Sequence, residues 1–146
     1  MTFLQTYRNS AYTLVRAVAG LMFMMHGAQK VFGILGGQQP PVGTQIWLGG
    51  IIELVCGALI AVGLLTRLAA FLASGTMAVA YVQFHWKLQL GAAFFPGVNQ
   101  GELALLYSVL FLYVACAGGG RYAIDALLGR PGPSSSSAPE KQRLSA

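Results

Sequence analysis

Charged residues are scarce in this sequence. Asp, Glu, Lys and Arg together make up 9% of its 146 residues, against about a quarter in an ordinary soluble domain. Hydrophobic residues make up 55%, and the mean hydropathy is +0.62. A soluble domain of this length could not hide so much apolar surface from water, so the composition predicts an integral membrane protein.

Motifs for several familiar chemistries are missing as well. The two cysteines, Cys56 and Cys116, form no CxxC pair, so nothing predicts a thiol relay. The His and Glu side chains occur singly, without HxxxH or HxxE spacing, and we predict no metal site. No glycine-rich phosphate loop is present, and no basic run is interleaved with aromatic residues, so we expect no nucleic-acid partner.

Four long apolar runs account for most of the chain, and each approaches the ~20 residues that a membrane-spanning helix needs. We predict an all-α domain over residues 1–128, a bundle of four transmembrane helices. The predicted spans cover residues 12–32, 46–65, 68–86 and 102–119. Residues 129–146 lack the apolar side chains that would offset the entropy cost of ordering, so we predict a disordered tail.

Lys and Arg are divided unevenly between the two ends of such a bundle. The side of both termini would carry Arg8, Arg67, Arg121, Arg130, Lys141 and Arg143. The other side would carry only Lys30 and Lys87. Because cytoplasmic segments are enriched in Lys and Arg, we predict that both termini are cytoplasmic. A turn at Thr66–Arg67 would then join the second and third spans as antiparallel neighbours.

Glu53 is the one charged residue in the second apolar run. Ionisable residues inside membrane segments are rare, usually face the bundle interior and usually serve a function. Glycines at helical spacing from Glu53 would let a neighbouring helix approach closely, which also predicts that Glu53 points inward. An unpaired buried carboxylate would take up a proton, so we expect partners in His26 and Lys30 on the first helix.

Helical spacing of about 100° per residue predicts which other side chains share a face with these groups. The expected inward face of the first helix carries Arg16, Ala19, Gly20, Phe23, His26, Gly27 and Lys30. The expected inward face of the fourth helix carries Glu102, Leu106, Val109 and Tyr113. All four helices then send an ionisable group to the outer half of the bundle. The predicted polar cluster there consists of His26, Gln29, Lys30, Glu53, His85 and Glu102.

Such a cluster is compatible with two kinds of role. A His–Glu pair can relay protons while a quinone-like ligand is oxidised or reduced, or it can couple a proton to a transported solute. It can equally be an interhelical clamp that fixes the geometry of the bundle. The residues alone leave these alternatives open, and they identify no catalytic side chain.

Three motifs carry a family resemblance: HGAQKVFG at 26–33, GLLTR at 63–67 and GRYAID at 120–125. Together with Arg16 and Glu102, they resemble the DoxX family of small bacterial membrane proteins over residues 14–125. The resemblance implies a multi-pass protein of the bacterial plasma membrane, with Arg16, Arg67, Arg121 and Asp125 at structural positions.

The same resemblance implies a link to redox chemistry. Some members are similar to a subunit of a thiosulfate:quinone oxidoreductase, and others are associated with complexes that handle oxidative or thiol stress. The expectation is a redox-associated subunit in the lipid bilayer, with quinone as a candidate cofactor and oxidoreductases as candidate partners. The oligomeric state is left open, with an oligomer as one alternative. The alternatives are a small proton-coupled transporter or channel and a non-catalytic membrane scaffold for soluble oxidoreductases.

Overall fold

The chain is all-helical over the part that a computed structural model describes, residues 2–129. This confirms the predicted all-α class; the predicted tail lies outside the described residues from position 130 onward. The α-helices are α1 (Thr2–Thr6), α2 (Arg8–Phe32), α3 (Gln45–Val62), α4 (Thr66–Ala80), α5 (Pro96–Asn99), α6 (Glu102–Ala117) and α7 (Ile124–Leu127). A π-helical turn, Tyr81–Trp86, continues α4, and a 3₁₀ turn, Gly91–Phe94, precedes α5.

Within residues 2–129, two helices are long and apolar enough to cross a membrane: Gln45–Val62, and Thr66–Trp86 with its π-helical turn. The helix α6 is also apolar but has 16 residues, and α2 has 25 residues but carries three cationic side chains. These four helices overlap the four predicted spans. By length and composition, α3 and the helix formed by α4 with its π-helical turn are therefore candidate membrane-spanning helices.

The four long helices place two sets of connections at opposite ends of the bundle. At one end, which we call the long-loop end, residues 33–44 join α2 to α3 and residues 87–101 join the π-helical turn to α6. At the other end, the short-turn end, α3 connects to α4 through three residues, and α6 ends close to α7.

The turn between α3 and α4 lies slightly earlier than the sequence predicts. The helix α3 ends at Val62 because Gly63 adopts a left-handed conformation, with φ of 76°, and donates to the carbonyl groups of Leu59 and Ile60. Thr66 and Arg67, which we expected to form the turn, instead begin α4. The glycine of the GLLTR motif is therefore the helix stop.

Glycines bring α2 and α3 into backbone contact. A Cβ atom placed on Gly20 would stand 2.6 Å from the Ala61 nitrogen and 2.8 Å from the Gly57 carbonyl oxygen. One placed on Gly27 would collide with the backbone nitrogen of Leu54. Small residues of this kind allow helices in a membrane to gain van der Waals contact along their backbones. The helices α3 and α4 pack less extensively, which leaves space between them.

The buried face of α2 agrees with its predicted face, but the predicted face of α6 was wrong. Leu106, Val109 and Tyr113 are exposed. The side chains that α6 packs into the bundle are Ala104, Tyr107, Phe111 and Val114. Because α6 is apolar on all sides, Glu102 was its only acidic marker, and Glu102 itself is exposed at the first residue of the helix.

Candidate functional site

A partly buried ion pair joins α2 to α3 at the long-loop end. The Lys30 Nζ atom lies 2.5 Å from the Glu53 Oε1 atom, and the side chain of Glu53 is only 2% exposed against 34% for Lys30. Gly50 makes this contact possible, because a Cβ atom at position 50 would lie 2.7 Å from the Lys30 Cβ atom. The close approach of the two helices thus lets Lys30 reach across α3 to Glu53.

The second carboxylate oxygen of Glu53 takes no part in the ion pair with Lys30. Among residues 2–129, the buried Oε2 atom has no hydrogen-bond partner. A buried charged acceptor without a donor is costly, since it has lost its hydrogen bonds to water. The Oε2 atom of Glu53 is therefore an unsatisfied acceptor within the described part of the chain.

Tyr107 is a second buried polar side chain near Glu53, and the sequence reasoning did not select it. It is 5% exposed, and its hydroxyl also lacks a hydrogen-bond partner within the described part of the chain. The phenol lies within electrostatic range of Glu53. Its ring stacks on Phe111 at 5.3 Å between centroids and meets the His26 ring edge-on at 6.4 Å.

An apolar groove runs between α3 and α4 and encloses about 700 Å³. Its walls are mainly aliphatic and aromatic, and its polar side chains include Lys30, Glu53 and His85. Two glycines, Gly49 on α3 and Gly75 on α4, also line it, and a Cβ atom at either position would meet no atom within 4 Å. The groove therefore offers a long apolar surface with an ion pair and a histidine among its lining.

Two hydrogen bonds position the polar side chains at the long-loop end. The Gln45 Nε2 atom donates to the Gln83 Oε1 atom at 2.5 Å, which ties the start of α3 to the π-helical turn. The His85 Nδ1 atom lies 3.4 Å from the Asn99 carbonyl oxygen, at the end of α5. Single π-helical turns are frequent at functional sites because they reorient side chains relative to the α-helix before them.

The structure brings together only part of the predicted polar cluster. Lys30, Glu53 and His85 line the groove. His26 packs against Tyr107, and Gln29 donates from Nε2 to the Leu35 carbonyl oxygen at 3.1 Å, so it holds the loop that follows α2. Glu102 is exposed. Within residues 2–129, no group of three His, Cys, Asp or Glu side chains is arranged to hold a metal ion.

At the short-turn end, Asp125 stabilises the start of α4 and Arg16 stabilises the end of α3. Asp125 accepts hydrogen bonds from the backbone nitrogens of Leu65 and Thr66, at 2.9 and 2.8 Å, and from the Thr66 hydroxyl at 2.8 Å. It therefore caps the start of α4. The Nη1 atom of the buried Arg16 donates to the carbonyl oxygens of Ile60 and Ala61 in the last turn of α3.

The other two predicted structural residues lie at the same end but are exposed. Arg67 donates from Nη1 to the carbonyl oxygens of Ala115 and Cys116, at 3.1 and 2.9 Å, in the last turn of α6. The Arg121 guanidinium lies 5.9 Å from the centre of the Tyr122 ring. A cation at a helix C-terminus is favourable for the helix dipole, so Arg67 stabilises the end of α6.

Long apolar helices and glycine-mediated backbone contact between them are compatible with a small helical membrane protein. The DoxX family model matches residues 11–86, just over half of the chain. The chain belongs to the DoxX family, as its motifs predicted. It is also 40% identical over 129 residues to an uncharacterized protein of Haemophilus influenzae, an alignment that covers 86% of this chain and 96% of that relative. No solved structure matches the chain.

Proposed function

We propose that this DoxX-family protein is the membrane subunit of a redox system and binds a quinone-type molecule in the groove between α3 and α4. The observation that carries the proposal is the groove itself, which is mainly apolar and has the Lys30–Glu53 ion pair in its lining. Quinones combine a long apolar tail with a compact, uncharged polar ring. Those two parts correspond to the apolar and polar lining of the groove.

The size and lining of the groove support a small amphipathic ligand. Its volume of about 700 Å³ falls within the range of roughly 300–1,000 Å³ for small-molecule sites. The lining residues Phe71, Leu72 and Phe84 suit an isoprenoid or alkyl tail. Because the groove lies between two helices that can cross a membrane, such a tail could enter sideways from the lipid.

The charge of the polar lining favours an uncharged head group. Lys30 and Glu53 neutralise each other at 2.5 Å, so the pair offers no net positive charge to a phospholipid phosphate. A quinone supplies reversible electron and proton transfer when it is bound. Lys30 is placed to donate a hydrogen bond to the head group, and Glu53 and His85 are the groove residues that can hold or release a proton there.

The proposal includes the finer topology that the charge distribution predicts. The domain of residues 1–128 would cross the bacterial plasma membrane four times, with both termini in the cytoplasm. Arg67 and Arg121 would then lie on the cytoplasmic side, and Lys30 and Lys87 on the opposite side. Electrons would pass between the bound quinone and an oxidoreductase partner, either soluble or in the membrane.

Filling the groove from either wall tests the proposal. Gly49→Leu and Gly75→Leu each add a side chain where space is free, so both should fold normally and occupy the ligand site. Ala78→Leu is the matched control, because Ala78 is exposed on α4 and does not line the groove. Binding of a decyl-benzoquinone is measured with purified protein in nanodiscs, after subtraction of empty nanodiscs.

We expect wild type and the Ala78→Leu control to bind the quinone equally, and both glycine variants to bind it at least tenfold more weakly. Equal binding by all four proteins would place the ligand outside the groove. No binding by the wild type would reject the quinone itself.

A further inference from the structure

We infer that residues 87–101, which connect the π-helical turn to α6, lie in the lipid headgroup region and anchor the long-loop end of the bundle in the membrane. The partner of this surface is the lipid bilayer. The inference does not depend on a bound quinone. It does rest on the four-span topology proposed above, in which this segment connects two spanning helices.

The segment exposes large apolar side chains although it carries almost no charge. Lys87 is the one charged residue in this part of the sequence. Leu90 is 87% exposed and Phe95 is 59% exposed. The other large apolar side chains that the segment exposes are Leu88, Phe94 and Val98. Exposed apolar surface of this extent marks a contact with a membrane or with another protein.

A chain of aromatic rings connects the end of α4 to this segment. Tyr81 stacks on Trp86 at 6.5 Å between ring centroids, and Trp86 meets Phe94 edge-on at 5.7 Å. The Trp86 Nε1 atom donates to the Gln89 carbonyl oxygen at 2.8 Å, which fixes the indole at the start of the segment. Trp and Tyr are enriched at membrane–water interfaces, because their rings combine an apolar body with a polar group. The segment therefore begins at the level where the helix Thr66–Trp86 would leave the hydrocarbon core.

The length of α6 indicates the same level for the other end of the segment. The 16 residues of α6 extend about 24 Å, which is less than the ~30 Å of a hydrocarbon core. Flanking residues must therefore complete the crossing. Three glycines and Arg121 follow α6, whereas Phe94, Phe95 and Val98 lie shortly before it. The apolar side chains before α6 are the ones suited to lipid.

Several polar groups of the segment are satisfied within it, which favours lipid over a protein partner. The Asn99 Nδ2 atom donates to the Ala93 carbonyl oxygen at 2.9 Å, and the Asn99 Oδ1 atom accepts from the Gly101 nitrogen at 2.8 Å. The backbone nitrogens of Phe95 and Val98 also donate to carbonyl groups of the segment. Backbone near lipid needs such internal partners, whereas a protein interface usually forms hydrogen bonds across the contact.

Spin labels measure the depth of the segment in bilayers of phosphatidylethanolamine and phosphatidylglycerol. Single cysteines are introduced by Leu90→Cys and Phe95→Cys in a chain that carries Cys56→Ala and Cys116→Ala. Both labelled side chains are exposed, so a label at either site should leave the fold intact. The two reference labels are Gln38→Cys, at an exposed polar position between α2 and α3, and Val109→Cys, at an exposed position on α6.

Each label is tested for collisions with oxygen, which concentrates in lipid, and with a water-soluble nickel chelate. We expect the ratio of oxygen to nickel accessibility at Leu90 and Phe95 to be at least about threefold higher than at Gln38, because a polar chelate is excluded from lipid.

A ratio at both sites equal to that at Gln38, with the Val109 label in lipid, would overturn this inference and leave the four-span topology standing. Low accessibility to both reagents at Leu90 and Phe95 would also overturn it, since a second copy of the chain would then cover the segment. A Val109 label in water would reject the topology, and this inference with it.

Discussion

Two buried carboxylates at opposite ends of the bundle are used in different ways. Asp125, 9% exposed, accepts three hydrogen bonds through both of its oxygens, from groups at the start of α4. Within the described residues, Glu53, which is 2% exposed, accepts through one oxygen only, from the flexible side chain of Lys30. Both oxygens of the carboxylate at the short-turn end therefore accept hydrogen bonds, whereas only one oxygen of the carboxylate at the long-loop end does so within the described residues.

This difference separates a structural carboxylate from a candidate binding group. The partners of Asp125 belong to Leu65 and Thr66, at the beginning of a helix, and Asp125 fixes their geometry. Glu53 borders an apolar groove, and its cationic partner is one-third exposed. Asp125 therefore has a structural role, whereas the binding role that we propose for Glu53 rests on its place in the lining of the groove.

Replacing each carboxylate by its amide gives the largest expected contrast. In Asp125→Asn an NH₂ group must face one of the donors that Asp125 now accepts, and we expect a loss of about 3 kcal/mol in the free energy of unfolding. In Glu53→Gln the amide oxygen can still accept from Lys30 while the NH₂ group replaces the unused oxygen. We expect a loss within about 1 kcal/mol there.

Both free energies are measured by SDS titration of the detergent-solubilised protein, with the exposed Arg121→Gln as a neutral control. Equal losses in the two amide variants would remove the distinction between the two ends.

The next largest effect should come from the helix contact that positions Lys30. Gly27→Ala would press a methyl group into the backbone of α3 at Leu54, one turn before Lys30. We expect it to cost about 2 kcal/mol through overpacking and to weaken quinone binding as Lys30 shifts. For stability, Gly75→Ala is the matched control, since a Cβ atom there meets no atom within 4 Å. If the two variants unfold at the same SDS fraction, close α2–α3 contact does not support the site.

Removal of Lys30 should have a smaller effect. Lys30→Met leaves Glu53 without its cationic partner, and we expect a loss of about 1 kcal/mol, less than for a fully buried pair because Lys30 is one-third exposed. Adding Glu53→Gln to Lys30→Met should recover most of this loss, since no unpaired charge then remains. A double variant that is less stable than the sum of the two single changes would contradict this account.

Much of the fold could be predicted from the sequence because local patterns determine it. The apolar runs predicted the all-α class, and the three motifs predicted the family. The buried face of α2 was predictable because Arg16, Gly20 and Gly27 mark it with cationic and small residues. Glu53 was expected to point inward because glycines recur on its own face of α3.

The partner of Glu53 and the groove depend on distances between helices, which no local pattern contains. His26 and Lys30 lie four residues apart on one face of α2, so their spacing favoured both as partners of Glu53. Only the height at which α2 crosses α3, set where Gly50 meets the side chain of Lys30, brings Lys30 to the carboxylate. The groove arises because α3 packs more closely on α2 than on α4.

The buried face of α6 was predicted wrongly for a different reason, and Tyr107 was therefore not among the predicted site residues. The helix is uniformly apolar, so the sequence offered Glu102 as its marker, whereas Tyr107 lies five residues further on and points to a different side. No signal in the sequence separates the two tyrosines of α6, of which Tyr107 is buried and Tyr113 is exposed.

Tyr107→Phe is expected to have the smallest effect and tests the comparison most directly. The Tyr107 hydroxyl is buried and has no partner among residues 2–129, so its removal should leave the free energy of unfolding unchanged or raise it by up to about 1 kcal/mol. Tyr12→Phe is the matched control at the short-turn end, where the hydroxyl donates to the Gly118 carbonyl oxygen at 2.5 Å, and it should cost about 1 kcal/mol. Both are measured by SDS titration.

An equal loss in Tyr107→Phe would mean that its hydroxyl has a partner in the folded protein. Glu53 is the nearby acceptor, since its Oε2 atom has no other donor within the described residues. Glu53 would then be as saturated as Asp125, and the two ends of the bundle would no longer differ.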